Sequence, residues 1–411
     1  MKSVLSALLS ALLVLSLAAC GSPAAPSSSG SAPAPSSSGS ASSPSSSGSA
    51  SSQSPEEQHR QEQEALEEAR QQRIWDLISS MTLEEKVGQL FFVRCPADSA
   101  VEDVSTYHLG GYILFGRDTK DRTANELIQT IQRYQDAAAI PLLMGVDEEG
   151  GTVVRVSSNP HLRSEKFASP QRLYALGGMD RVLTDTREKD ILLRALGFNV
   201  NLAPVADVST DPGDFIYDRA FGQDAAATSD YVSAVTGRMR ADGMGSVLKH
   251  FPGYGDNADT HTGIAVDDRP YEDFVNSDFL PFLAGMAAGG DTAAVLVSHN
   301  IVECMDPDLP ASLSPAVHNL LRQDLGFDGV VMTDDLAMDA VGAYAGDGAV
   351  AVMALQAGND MVVTTDYRSQ IPKVLEAVEN GSLEEAAIDA ACRRVLRWKQ
   401  ALGLLPTEPE V

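Results

Sequence analysis

Short apolar runs recur along the chain from residue 90 onwards, and stretches with helical patterning separate most of them. The runs lie at Leu90–Val93, Tyr112–Phe115, Pro141–Val146, Asn199–Ala203, Ser246–Leu248, Ala293–Val297, Gly329–Met332 and Met361–Val363. Near-continuous apolar strands are typical of a parallel sheet that is covered on both faces. Eight such strands alternating with helices predict an α/β fold, a single (β/α)8 TIM-like barrel with its polar strand ends at one face.

A doubly wound open sheet is the structural alternative, because it uses the same kind of strands. No Gly-x-Gly-x-x-Gly follows the first run, which argues against a dinucleotide site. Just before that run, Thr82-Leu83-Glu84-Glu85 has the form of a capping box and predicts the start of a helix.

The first residues do not belong to this pattern. Lys2 and the apolar stretch Val4–Leu17 have the form of a secretory signal, too short to span a bilayer. The signal ends in Leu17-Ala18-Ala19-Cys20-Gly21, which resembles a bacterial lipobox and predicts lipidation of Cys20. An ordinary signal peptide with an incidental cysteine is the alternative.

Composition then divides the chain into four parts. Residues 1–20 are the predicted lipoprotein signal peptide, and residues 21–55 are a flexible linker of Ser, Gly, Ala and Pro. Residues 56–73 are rich in Glu and Gln and predict a charged helical stalk, and residues 74–405 hold the barrel.

The net charge of −27 argues against a nucleic-acid partner, because phosphate binding needs clustered Lys and Arg. Cys95, Cys304 and Cys392 are far apart and lack metal-ligand spacing, so we interpret them as small core residues. We expect no metal and no cofactor.

Candidate chemistry sits at the ends of the predicted strands. Asp147 follows the third run and Arg155 comes shortly after it, whereas Arg219 lies in a long loop after the fourth, where a surface salt bridge is an equal alternative. Lys249 and His250 end the fifth run, and Asp259 and His261 follow a glycine-rich turn beyond it. His299 ends the sixth run and could either support or contact a ligand.

Asp334 and Asp335 end the seventh run. Asp335 could cap the following helix while Asp334 points into the barrel mouth, where a carboxylate can attack an anomeric carbon. Carboxylates, cations and histidines together, without a nucleophilic Ser or Cys, suit an uncharged, polyhydroxylated substrate.

These residues resemble glycoside hydrolase family 3, and within it the bacterial β-N-acetylglucosaminidases. The matching segments are Met81–Leu90, Asp147–Gly151, Leu248–Gly253, Asp259–His261 and Thr333–Leu336, in the order of the family. The resemblance implies a retaining double displacement with Asp334 as nucleophile, His261 as acid/base and Asp259 orienting His261.

The resemblance also implies that five residues hold the hydroxyl groups of N-acetylglucosamine: Asp147, Arg155, Arg219, Lys249 and His250. Three features depart from the common family pattern. Thr152 replaces an arginine, Tyr254 replaces a second histidine, and the loop from His250 to His261 is one residue shorter.

The sequence therefore predicts an exo-β-N-acetylglucosaminidase that removes terminal N-acetylglucosamine from peptidoglycan-derived glycans or muropeptides. We expect a monomer outside the cytoplasm of a bacterium, held to the cell membrane by its lipid anchor alone. One alternative is a β-glycoside phosphorylase on the same scaffold, because a neutral histidine tolerates an approaching phosphate. From another class, a lipid-anchored sugar-binding protein of a transporter would need neither Asp334 nor the Asp259–His261 pair.

Overall fold

A computed structural model of the chain describes residues 54–257, 263, 265–338, 341, 344 and 349–406. Its strands are Phe91–Arg94 (β1), Gly111–Leu114 (β2), Leu143–Val146 (β3), Val200–Asn201 (β4), Gly245–Phe251 (β5), Val266–Asp267 (β6), Ala293–Val297 (β7), Ile301–Val302 (β8), Val330–Thr333 (β9) and Val362–Thr364 (β10).

Eight of these strands form one parallel sheet in the order β10-β1-β2-β3-β4-β5-β7-β9. The first and last strands of that order also approach each other. A parallel bridge joins Met332 to Met361, and the backbone N–H of Thr333 donates to the Met361 carbonyl oxygen at 3.2 Å. The sheet therefore curls into a barrel, which confirms the predicted (β/α)8 architecture over the open-sheet alternative.

Burial explains why these short runs form strands. Within the eight sheet strands every side chain is buried except that of Arg94, as expected when helices cover the outside of a barrel and side chains fill its interior. Burial also extends β5 beyond the predicted Ser246–Leu248 run, through Lys249 and His250 to Phe251. β6 and β8, which the apolar pattern did not indicate, pair with each other in parallel outside the barrel.

The helices of the described residues are Pro55–Ser80 (α1), Leu83–Gln89 (α2), Ala100–Tyr107 (α3), Gly116–Thr119 (α4), Ala124–Ala137 (α5), Pro170–Leu196 (α6), Ala225–Asp242 (α7), Tyr271–Asp273 (α8), Phe279–Gly289 (α9), Pro315–Asn319 (α10), Val350–Ala357 (α11), Tyr367–Glu379 (α12) and Glu385–Ala401 (α13). Shorter 3₁₀ or π turns lie at Phe274–Asp278, Gly290–Thr292, Ala311–Leu313 and Leu320–Asp324.

The capping box predicted before the first strand is confirmed at the start of α2. The Thr82 backbone N–H donates to Glu85 Oε2 at 2.8 Å, and the Glu85 backbone N–H donates to Thr82 Oγ1 at 3.3 Å. Each side chain thus satisfies a backbone donor that the first turn of a helix leaves without a partner.

The described part of the chain divides into two units, residues 54–66 and residues 67–406. In the first unit residues 56–66 are helical and exposed, and Arg60 forms an ion pair with Glu64 at 3.7 Å. In the second, Ile74 and Ile78 of α1 belong to the hydrophobic core. None of the helices in the described part of the chain is long and apolar enough to cross a membrane.

Candidate active site

Lys249 is the central cation at the carboxyl ends of the barrel strands. Its side chain lies in β5 and is buried, and its Nζ lies 2.8 Å from Asp147 Oδ1 and 2.6 Å from Glu149 Oε1. Both acids follow β3, so two separate strands bring these three charges together. A buried lysine needs such partners, because burial of an unpaired charge is costly.

Arg219 continues this network on the other side of Glu149. Its Nε and Nη2 donate to the two carboxylate oxygens of Glu149 at 3.1 and 2.8 Å, the planar two-bond geometry that fixes a guanidinium in place. The Arg219 Nη2 atom also lies 3.2 Å from His250 Nε2. The loop arginine therefore contacts the barrel interior, and the surface salt bridge considered above is not what it forms.

Asp207 orients His250 at the end of this network. The Asp207 Oδ2 atom lies 2.8 Å from His250 Nδ1 and accepts the His250 backbone N–H at 3.1 Å, while its Oδ1 accepts the Tyr254 backbone N–H at 2.8 Å. With Nδ1–H donating to Asp207, Nε2 accepts from Arg219; we assign this tautomer from the partners. Asp147, Lys249, Glu149, Arg219, His250 and Asp207 thus form one continuous array, called the ion-pair chain below.

The charges of the ion-pair chain stabilise one another. Burial alone would raise the pKa of Glu149, but Lys249 and Arg219 outweigh it and hold that pKa well below its usual range. Burial likewise works to lower the pKa of Lys249, and Asp147 and Glu149 together raise it above its ordinary value. Glu149, Lys249 and Arg219 therefore all stay charged near neutral pH.

Asp334 lies directly after β9, beside the ion-pair chain. Its backbone N–H donates to the Val297 carbonyl oxygen at 3.0 Å, and its Oδ1 accepts the Asp335 backbone N–H at 2.8 Å. Burial acts to raise the pKa of Asp334, but its neighbours His299 and His250, the Asp335 backbone N–H and Lys249 outweigh burial and lower that pKa. Asp334 is half-buried, and its neighbours favour the ionised form of its carboxyl group.

The neighbours of Asp334 support it. Asp335 Oδ1 accepts the Ala337 backbone N–H at 3.0 Å and so stabilises the turn after the strand, in line with a capping role for this acid. His299 is buried, and its Nε2 lies 3.1 Å from the Asp335 carbonyl oxygen, to which it donates. This hydrogen bond is the kind of contact that the supporting role of His299 requires.

The turn after β3 depends on two glycines with positive φ, Gly150 at 107° and Gly151 at 66°. A Cβ atom on Gly150 would lie 2.3 Å from the Ala168 carbonyl oxygen, so a larger residue would displace this turn. Glu148 then holds the returning segment, accepting the backbone N–H groups of Arg155 at 2.8 Å and Val156 at 2.7 Å. Asp147 and Glu149 consequently have fixed positions.

The structure brings together four of the five predicted sugar-binding residues, Asp147, Arg219, Lys249 and His250. The fifth, Arg155, stands apart from the ion-pair chain, with its guanidinium 5.9 Å from the centre of the Phe115 ring. Asp259, His261 and Cys20 lie outside the described residues.

Two of the three departures from the family pattern, Thr152 and Tyr254, lie among the described residues. Thr152 is exposed in the turn after β3. Tyr254 is only 3% exposed, and its ring lies edge-on to the His250 imidazole, with 5.6 Å between the centroids. The tyrosine therefore packs against a residue of the ion-pair chain.

Sequence reasoning missed Glu149 and Asp207 as members of the site. A signal was present for both. Glu149 is two residues beyond Asp147 in the same turn, and Asp207 follows the fourth apolar run just as Asp147 follows the third. Their importance lay in long-range pairing with Lys249, Arg219 and His250, which spacing along the chain does not reveal.

Among the described residues no group of three or more His, Cys, Asp and Glu side chains could hold a metal ion. Cys95 and Cys392 are buried thiols, as expected of core residues. The interpretation is wrong for Cys304, which is exposed because it lies in the turn after β8.

A closed parallel barrel that gathers paired acids, cations and an imidazole at its strand ends defines a barrel enzyme of the carbohydrate-active class. The chain belongs to glycoside hydrolase family 3. The Glycosyl hydrolase family 3 N terminal domain matches residues 82–398, which include every member of the ion-pair chain and Asp334.

Similar proteins agree with this membership. The Beta-hexosaminidase LpqI of Mycobacterium tuberculosis is 34% identical over 330 residues, which cover 77% of this chain and 82% of that protein. A Beta-hexosaminidase of Xanthomonas campestris pv. campestris is 32% identical over 304 residues, covering 73% of this chain and 90% of that protein.

Among solved structures, a glycoside hydrolase family 3 beta-N-acetylglucosaminidase from Paenibacillus sp. str. FPU-7 is similar with a TM-score of 0.73 and 31% identity. That similarity covers 79% of this chain and 63% of the Paenibacillus chain, so this chain spans under two thirds of that protein. The structure of LpqI has a TM-score of 0.70 and 32% identity, covering 77% of this chain and 93% of that chain.

Proposed function

We propose that this protein is a retaining exo-β-N-acetylglucosaminidase, which removes terminal N-acetylglucosamine from peptidoglycan-derived fragments. One observation carries the proposal: a half-buried carboxylate, Asp334, lies at a barrel strand end beside the ion-pair chain, and its neighbours lower its pKa. The names of the similar proteins, beta-hexosaminidase and beta-N-acetylglucosaminidase, agree with it.

In the proposed double displacement, Asp334 attacks the anomeric carbon and forms a covalent glycosyl-enzyme, and the bond to the leaving oxygen breaks. Water then attacks the same carbon and the bond to Asp334 breaks, which frees the carboxylate, so the product keeps the β configuration. The neighbours that lower the pKa of Asp334 favour its unprotonated and therefore nucleophilic form. Proton transfer to the leaving oxygen and from the water is assigned to His261, with Asp259 orienting it.

The ion-pair chain is suited to hold the terminal sugar. Asp147 and Glu149 offer acceptors, whereas Lys249 and Arg219 offer donors, and each is already fixed by its neighbour. Little reorganisation is needed when hydroxyl groups bind, which favours precise placement of the anomeric carbon.

The direct test is Asp334→Asn, assayed with an aryl N-acetyl-β-glucosaminide. Turnover should be abolished while the circular dichroism spectrum stays that of the wild type, because an amide cannot form the glycosyl-enzyme. The matched control is Asp335→Asn, which keeps the oxygen that accepts the Ala337 N–H and should stay active. Retained activity in Asp334→Asn would contradict the proposal.

A second measurement separates hydrolysis from phosphorolysis. The wild-type enzyme is assayed in phosphate and in a non-nucleophilic buffer, with product analysis by mass spectrometry. Free N-acetylglucosamine in both buffers supports hydrolysis. If sugar 1-phosphate is the main product in phosphate buffer, the enzyme is a phosphorylase and the proposed hydrolysis is wrong.

We further propose that the enzyme works as a monomer outside the cytoplasm, attached to the bacterial cell membrane through lipid on Cys20. The support is the signal-like segment that ends at Cys20 and the Ser- and Gly-rich linker after it. A tether of this kind lets an enzyme reach wall-derived fragments near the membrane.

A further inference from the structure

Arg269 lies at the centre of a group of ion pairs beside strand β6. Its Nε and Nη2 donate to the two carboxylate oxygens of Asp267 at 3.0 and 2.8 Å, and its Nη1 donates to Asp278 Oδ2 at 3.1 Å. Both acids are buried. The guanidinium carbon also lies 4.4 Å from the centre of the Phe274 ring, so the group has a fixed orientation. Asp267, Arg269 and Asp278 are called the Arg269 cluster below.

The Arg269 cluster joins two points of the chain that lie ten residues apart. Asn257 Nδ2 donates to Asp267 Oδ2 at 2.8 Å. Strand β6, which contains Asp267, is paired in turn with β8. The predicted acid/base residue His261 and its partner Asp259 come between these two points in the sequence. The stretch that carries them is therefore closed at its base by described residues.

The segment that leads from β5 to Asn257 packs directly against the cluster. A Cβ atom on Gly253 would clash with the Asp278 carboxylate, and one on Gly255 would lie 2.6 Å from the guanidinium carbon of Arg269. Only glycine permits such a close approach. The course of the chain before Asn257 is therefore set by contact with the cluster, as its course after Asp267 is set by pairing with β8.

One guanidinium in the cluster faces two buried acids. Burial raises the pKa of Asp278 to about 7; Arg269 opposes this effect, and the Asp207 and Asp267 carboxylates add to it. Loss of the guanidinium would remove the hydrogen bonds that join the two acids and would leave the acids facing each other. Removing one partner from buried ion pairs is costly, so the segments that Arg269 joins should then shift.

We propose that the Arg269 cluster positions the stretch that carries Asp259 and His261, with Arg269 as a positioning residue for the reaction. The inference rests on the proposed function, in which His261 exchanges protons with the leaving oxygen and with water. A proton donor must lie within hydrogen-bond reach of its target, and a misplacement of about 1 Å can lower a rate about a hundredfold. Because both ends of the stretch depend on the cluster, the cluster limits the positions open to His261.

The test compares two aryl N-acetyl-β-glucosaminides that differ in their need for a proton donor. Dinitrophenolate leaves without protonation, whereas unsubstituted phenolate needs the acid. In Arg269→Gln, kcat/KM for the phenyl glycoside should fall about tenfold or more, and that for the dinitrophenyl glycoside by less than about threefold. His261→Ala should show the same selective loss to a larger extent, because it lacks the acid altogether.

Arg397→Gln is the matched control. Arg397 also pairs with two acids, Asp291 at 3.1 Å and Asp328 at 2.7 Å, and its side chain is 27% exposed compared with 23% for Arg269. Asp291 and Asp328 come just before β7 and β9, at the amino ends of the strands and so on the face of the barrel opposite the site. The control should leave kcat/KM for both glycosides unchanged, even if it lowers the free energy of unfolding.

A second readout follows the later half of the reaction. Azide attacks the anomeric carbon of the glycosyl-enzyme without needing a base, the bond to Asp334 breaks, and the β-glycosyl azide is released. With the dinitrophenyl glycoside, azide should therefore raise kcat of Arg269→Gln and leave kcat of the wild type unchanged. Loss of folded protein or of sugar binding would not give this rescue.

Asn257→Ala tests the same stretch with a smaller change. It removes the hydrogen bond to Asp267 and keeps the ion pairs of the Arg269 cluster, so it decides the matter even if Arg269→Gln does not fold. We expect a selective loss on the phenyl glycoside again, smaller than that of Arg269→Gln.

Four results would overturn the inference. These are equal losses on the two glycosides in Arg269→Gln, no loss on either, no azide rescue of that variant, and an unchanged ratio of the two kcat/KM values in Asn257→Ala. The same selective loss in Arg397→Gln would overturn it as well, because the effect would then not depend on the cluster. Failure of the wild type on both glycosides, or the absence of a selective loss in His261→Ala, would instead contradict the proposed function.

Discussion

At the scale of single residues, two buried carboxyl groups of the protein have pKa values that are shifted in opposite directions. Glu149 is buried between Lys249 and Arg219 and stays ionised. Asp190 of α6 is fully buried too, yet neither of its side-chain oxygens accepts a hydrogen bond from a described donor. Burial, assisted by the nearby Asp242 carboxylate and opposed by Lys189, raises the pKa of Asp190 to about 8. Glu149 is therefore charged near pH 7, whereas the carboxyl group of Asp190 is mostly neutral.

We expect Asp190→Asn to stabilise the protein, increasingly so as pH rises. The folded-state pKa lies above the value of 3.8 of an unperturbed aspartate, so only the native state binds this proton at intermediate pH. Stability of the wild type is therefore lost as pH rises from about 4 to 8, by at most about 1.4 kcal/mol per pH unit. The variant lacks this loss and should be more stable at pH 8 by at least about 1 kcal/mol.

Urea unfolding of both proteins at pH 5 and pH 8 measures this difference. Asp180→Asn, an exposed position on the same helix, serves as the control and should give equal changes at the two pH values. If the Asp190→Asn variant is equally or less stable than the wild type at pH 8, burial of Asp190 does not destabilise the protein there and the prediction is wrong.

At the scale of elements, helix capping gives a direct test of local stability. Thr82→Ala removes the side-chain oxygen that accepts the Glu85 backbone N–H at the start of α2. We expect a loss of about 1 kcal/mol in the free energy of unfolding, the usual cost of a lost N-cap. Chemical denaturation measures it. The same replacement inside α6, Thr184→Ala, should cost less than about 0.5 kcal/mol, because alanine favours helix interiors.

Strand β5 shows how far the sequence predicts the fold and where it stops. The apolar pattern indicates Ser246–Leu248 correctly, but the strand continues through two polar residues to Phe251. Lys249 and His250 look like a strand end because nothing nearby in the sequence neutralises them. Their partners, Glu149 and Asp207, come from turns that follow other strands. Polar residues in a buried strand become predictable only when their distant partners are known.

The same limit applies to the candidate site. Asp147, Lys249, His250 and Asp334 could be selected because each follows or ends an apolar run. Arg94 ends the first strand in the same way, yet a single arginine beside a cysteine and a proline gives no sign of its stacking on Phe115. That contact joins the ends of two strands, and the tertiary structure alone reveals it.

At the scale of the whole molecule, the chain combines a strongly acidic composition with an expected lipid anchor. A net charge of −27 disfavours adsorption to the anionic surface of a membrane. Retention at the membrane should therefore depend on the acyl chains on Cys20 and not on surface electrostatics, so added salt should not release the protein.

Cys20→Ser should move the protein from the membrane fraction to the soluble fraction without changing its kcat. The reason is that lipidation requires the thiol, whereas the predicted catalytic residues all come more than 200 residues later in the sequence. Fractionation followed by an aryl N-acetyl-β-glucosaminide assay measures both properties. Cys304→Ser, at an exposed thiol of the barrel unit, should stay with the membrane. Membrane retention of Cys20→Ser would show that another segment holds the protein there.

The ion-pair chain also has a consequence for how such an enzyme can change over evolution. Lys249 and Arg219 both pair with Glu149, so replacing one member of the array leaves its partners as buried charges that lack one counter-ion. A second replacement should therefore lower the free energy of unfolding less than the first. The effects of mutations within the array are therefore strongly non-additive. A single replacement should lower stability or activity more than its share of a double replacement. New specificities should therefore arise more readily through positions outside the array.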